Sequence, residues 1–89
     1  MLKAYKFSAI WCPACLVMSP IWDKLDTEFD LNLETYDYDM DKEMVEKYQV
    51  GKILPEVILY KDDKEVERFV GEYAFKYLHK VLEGYDKND

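Results

Sequence analysis

One histidine, His79, and two cysteines, Cys12 and Cys15, are the only imidazole and thiol groups this 89-residue chain can offer a metal. Zinc normally takes a full tetrahedral set of such ligands, and His79 lies far along the chain from both sulfurs. A zinc site within one chain is therefore disfavoured, and one shared between two chains stays open as an alternative. Glycine and proline are scarce, at three residues each, and there is no linker, repeat or low-complexity tract. No apolar run reaches the length of a membrane span, about 18 residues. Met1-Leu2-Lys3 leads straight into alternating residues, without the apolar stretch of a secretory signal. Lys and Arg are scattered, and with a net charge of −7 neither nucleic acid nor an anionic lipid surface is an expected partner.

What is present suits one globular domain, with 49% apolar and 35% charged residues. Lys3 to Ala9 alternate as a strand, with Tyr5 and Phe7 on one face and Lys6 and Ser8 on the other. Pro13 fits the first position of a helix, where its missing N–H has no partner to lose. Ala14, Met18, Ile21, Leu25 and Phe29 then fall on one helical face, and Pro20 inside that helix predicts a kink. Leu31 to Asp39 reads as a second strand, and Glu34 and Asp37 there would guard an exposed edge. Asp41 caps a short helix from about Lys42 to Tyr48. Val57 to Tyr60 is the most apolar strand. Lys61 to Lys64 reads as a hairpin turn, and Glu65 to Val70 as the returning strand. A last helix runs from Tyr73 to Glu83, with Gly84 as its stop; His79 on it reads as a solvated residue. The expected α/β fold is β-α-β-α-β-β-α, a four-stranded mixed sheet with helices on both faces. The expected domain is 1–85, with a frayed tail at 86–89.

Two cysteines three apart, in a chain without a secretory signal, suggest redox chemistry rather than a structural staple. The expected location is cytoplasmic. A thiolate is the reactive form. Cys12 precedes a helix, whose unpaired N–H groups and dipole favour negative charge. Cys15 lies one turn further in. Cys12 would attack a disulfide, and Cys15 would then attack Cys12 to release the reduced product.

The strand ending in Phe7-Ser8-Ala9-Ile10-Trp11-Cys12, the helix proline Pro20, Pro55 before the third strand and Val70-Gly71 before the last helix together resemble the thioredoxin-like superfamily. Cys12-Pro13-Ala14-Cys15 is similar to the glutaredoxin Cys-Pro-Tyr-Cys, and the chain lacks the additional first strand and helix of thioredoxins. The resemblance implies a thiol–disulfide oxidoreductase with catalytic Cys12 and Cys15 and no cofactor beyond their redox-active disulfide. It implies that Leu54-Pro55 is a cis peptide beside the sulfurs, and that Leu54 pairs with an extended substrate. Trp11, Pro13, Ala14 and Pro55 would complete the docking rim, with Tyr73 near it. Thioredoxins carry a buried aspartate where this chain has Lys6. Lys6 is therefore expected either to stabilise thiolate while paired to Glu34 or Glu56, or to reach solvent along the sheet edge. If a proton carrier is needed, Glu56 or water is the candidate. The expected partners are disulfide-containing client proteins and a separate reductase or small thiol as electron donor, and the chain is expected to be a monomer. Two alternatives stand beside protein-disulfide reduction. One is a glutathione-dependent enzyme of glutaredoxin type, although Glu72 after Gly71 would repel glutathione carboxylates. The other is a non-catalytic redox sensor or binding module.

Overall fold

The computed structural model describes residues 1–87. Seven elements follow in the expected order: β1 (Leu2–Ser8), α1 (Pro13–Phe29), β2 (Glu34–Asp37), α2 (Lys42–Lys47), β3 (Glu56–Lys61), β4 (Lys64–Val70) and α3 (Phe75–Lys87). The sheet order is β2-β1-β3-β4. β1 runs parallel to β2 and antiparallel to β3, and β4 returns antiparallel beside β3. β1 and β3 are thus the interior strands, and the charged β2 and β4 form the edges.

The sheet separates two apolar clusters. On one face Leu2, Ala4, Val57, Leu59 and Phe69 meet Met18, Trp22 and Leu25 of α1 and Leu78 and Leu82 of α3. On the other, Phe7 and Ile58 lie with Tyr5, Tyr36 and Tyr60 beneath Met44 and Val45 of α2. Cys12, Cys15 and Leu54 join this second cluster at one end of the sheet. His79 is not merely solvated. It bonds the Glu28 carboxylate and so ties α3 to α1.

Two elements, β2 and α3, differ from their sequence reading. β2 covers only Glu34–Asp37, because Asp30 and Asn32 turn the chain with φ of 54° and 50° before pairing begins. α1 contains Pro20, as read from the sequence. That residue is exposed, and it removes one hydrogen bond from the helix. α3 does not stop at Gly84 but runs on to Lys87. Tyr85 holds the extra turn in place: its hydroxyl donates to the Glu67 carboxylate at 2.7 Å, and its carbonyl accepts from Lys61 Nζ at 2.6 Å. Of the expected frayed tail, Asp86 and Lys87 are helical, and residues 88–89 lie outside the described residues. The hairpin turn is as expected. Asp62 and Asp63 take φ of 50° and 69°, the two left-handed positions that match a tight hairpin to the strand twist.

Gly84 is helical and exposed, and a methyl group there would meet nothing within 4 Å. Gly84→Ala is therefore expected to stabilise the protein by about 0.5–1 kcal/mol, read from the midpoint of urea unfolding.

Candidate active site

Cys12 sits at the N-cap of α1 in extended backbone geometry, and Pro13 opens the first turn. Capping side chains usually offer an oxygen to the free amides. Here a sulfur does so: the Cys15 backbone N–H donates to Cys12 Sγ at 3.2 Å. The Cys12 carbonyl oxygen meanwhile accepts from the amides of Cys15 and Leu16. Both cysteines are free thiols, each 6% exposed.

The turn before β3 closes over the sulfurs. Leu54-Pro55 is a cis peptide, as the resemblance implied. The Cys12 thiol faces the Leu54 carbonyl at 3.6 Å. Gly71 N–H donates to the Pro55 carbonyl at 2.9 Å, which fixes this turn to the end of β4. Trp11 is 57% exposed beside Cys12. Its indole N–H donates to Asp39 at 2.6 Å, and its ring meets Tyr38 edge-on. Pro13 is exposed, Ala14 half-buried, and Ile10 and Ile53 are further exposed apolar side chains in these two segments. Tyr73 packs on Phe69 and Tyr77. Sequence reasoning missed Asp39 as the anchor of Trp11. Nothing local signals a partner 28 residues away.

Two expectations for Lys6 are corrected. It does not reach solvent along an edge, because β1 is interior and Lys6 is only 6% exposed. Nor does it pair with Glu34 or Glu56. The register sets Glu34 beside Tyr5 and Glu56 beside Phe7, on the opposite face from Lys6. Glu34 pairs with Lys3 at 3.3 Å. Glu56 holds Arg68 at 2.8 Å and accepts from the Gly51 N–H at 3.2 Å, so it braces the chain leading into Leu54. Lys6 Nζ instead reaches Ser19 Oγ on α1, at 3.5 Å.

The thioredoxin family model matches residues 4–84. The chain belongs to the thioredoxin family. It is 34% identical over 77 residues to an H-type thioredoxin of Fagopyrum esculentum, covering 84% of this chain and 65% of that one. Against a thioredoxin of Chlamydia trachomatis it is 39% identical over 66 residues, covering 73% and 64%. It therefore spans slightly less than two thirds of the length of these relatives. The solved structure of a mutant thioredoxin from Halobacterium salinarum superposes with a TM-score of 0.86 at 26% identity, covering 96% of this chain and 74% of that one.

Within this thioredoxin-family site, burial pushes the Cys15 thiol up to about 11. Its hydrogen bond and charge coupling to Cys12 add to the rise, while the Ala9 backbone and the Lys6 ammonium pull it partly back. In the unfolded chain the same thiol titrates near 9.0. The folded state thus holds its proton more tightly, and the stability this gives is present below pH 9 and lost as pH rises toward 11. Between pH 7 and pH 10 the reduced protein is expected to lose about 1 kcal/mol more than Cys15→Ala. Urea unfolding at the two pH values measures the difference, and the variant subtracts the tyrosines that titrate in the same range.

Proposed function

We propose that this chain reduces disulfides in other proteins through a Cys12–Cys15 dithiol–disulfide cycle. The observation that carries the reading is the Cys12 sulfur at the start of α1, receiving the Cys15 N–H and facing Leu54. The Cys15 N–H fixes that sulfur at the start of α1, and a thiolate is the form that attacks a disulfide. An extended client segment lies along Leu54-Pro55, with Leu54 as its backbone partner and Trp11, Pro13 and Ala14 as the apolar rim. The thiolate of Cys12 attacks one client sulfur. A Cys12–client disulfide forms, the client S–S bond breaks, and the departing client sulfur takes up a proton. Cys15 then gives its proton to solvent and attacks Cys12. The Cys12–Cys15 bond forms, and the second client sulfur leaves as thiolate. The client has gained two electrons, and the dithiol has lost them. A separate reductase or a small thiol restores it. A pair that must be reduced to act belongs in a compartment that keeps thiols reduced, as the cytoplasm does.

With a small dithiol supplying electrons, the protein is expected to accelerate reduction of a model protein disulfide through many turnovers. Cys12→Ser falls to the uncatalysed rate. Cys15→Ser stops at a mixed disulfide on Cys12, visible as a mass increase equal to the client. One round of oxidation without turnover would overturn the reading in favour of a sensor. Mixed disulfides with glutathione alone would overturn it in favour of a glutathione-dependent enzyme.

A further inference from the structure

Beside Cys15, on the α1 side of the sheet, lies a cavity of about 200 Å³. Lys6 and Ser8 line it from β1, Cys15 and Ser19 from α1, and Asp37 from β2. Its mouth is formed by exposed Ile10 and Leu16. Polar walls and this volume admit water, so a proton released inside can reach solvent.

Lys6 is the unusual member of this lining. A buried ammonium is costly unless an anion or several hydrogen bonds replace its water. Among the described residues its only hydrogen-bond partner is the Ser19 hydroxyl, at a long 3.5 Å. No carboxylate among the described residues pairs with it. Asp37 shares the cavity, but its Oδ1 accepts from the Asp39 and Met40 amides at 2.8 and 2.9 Å. Glu34 and Glu56 face the opposite side of the sheet. Asp37 brings a fixed carboxylate to the same wall without an ion pair to Lys6 among the described residues, and Cys15 adds a second anion when its thiol gives up its proton.

We propose that Lys6 is the built-in counter-ion of the Cys15 thiolate, stabilising that sulfur as the anion during the step in which it displaces the client from Cys12. This rests on the reading of Cys15 as the resolving thiol. Lys6 touches no client and acts only through Cys15, so it is a positioning residue. Its charge offsets part of the burial that opposes ionisation of Cys15. The arrangement is complementary in time. Before the step the ammonium lacks a partner anion, and during the step the thiolate becomes that partner. The proton goes to water in the cavity, the Cys15–Cys12 bond forms, and the client sulfur leaves with the electron pair of the broken Cys12–client bond.

The test uses the full chain and dithiobis(nitrobenzoate), which releases coloured thiolate first on attack by Cys12 and again when Cys15 resolves the mixed disulfide. In Lys6→Met the pH midpoint of the second phase is expected to rise by about one unit, a tenfold loss of Cys15 thiolate at neutral pH. A more basic thiolate is also more nucleophilic, which recovers about threefold, so the second phase slows about threefold at pH 7. Lys6→Arg keeps the cation and is expected to keep the midpoint. A ¹³C titration of the Cys15 Cβ in the reduced protein gives the same shift without any client or turnover. If Lys6→Met is poorly folded, Lys6→Gln retains a polar head beside Ser19 and carries the same expectation. A folded charge-removing variant with an unmoved Cys15 titration overturns the role of Lys6, whatever the activity. Loss of protein-disulfide turnover in the unaltered chain, with the titration shift intact, would overturn the proposed function alone.

Discussion

The hydrogen bond from the Cys15 amide to the Cys12 sulfur organises the site. It closes the first turn of α1, a task that serine or aspartate performs in most helices. The group that caps the helix is therefore the group proposed to react. Helix start and sulfur position follow from one contact. Pro13 reinforces it by supplying a helical φ where no N–H is needed. The turn at Leu54-Pro55, held by Gly71 and braced by Glu56 and Arg68, then bounds the site on its other side.

Alternation along β1 supplies the second constraint. Tyr5 and Phe7 face α2 and the aromatic cluster, while Ala4 and Lys6 face α1. One strand thus contributes a packed wall to one layer and a buried charge to the other. The Glu56–Arg68 pair and the Lys6–Ser19 contact lie on opposite sides of the sheet and do different work. One fixes a loop, and the other faces a cavity that opens to solvent.

The element order was legible because each element carries its own period: alternation in β1, helical spacing from Ala14 to Phe29, and a compact apolar run in β3. The Cys12–Pro13 junction was legible because capping and proline chemistry are local. What escaped depends on partners distant in the chain. Gly84 carries a local stop signal, but Tyr85, anchored to β3 and β4, keeps the helix going. The alternation inside β1 separates Lys6 from Tyr5, yet only the register against β2 and β3 shows that Glu34 and Glu56 share the Tyr5 face. The tether from Trp11 to Asp39 likewise joins two loops with no local sign of each other.

The close spacing of the two cysteines, one helical turn apart, also governs what oxidation does to the fold. A bond between Cys12 and Cys15 closes one of the shortest loops a protein chain can form. Loop-closure entropy assigns such a crosslink about 2 kcal/mol, under half of what a bond spanning roughly 100 residues removes from the unfolded ensemble. The principal cluster, on Trp22, Leu25 and Leu78, lies across the sheet and does not include the sulfurs. The architecture is therefore held by burial and not by crosslinking, with both sulfurs free.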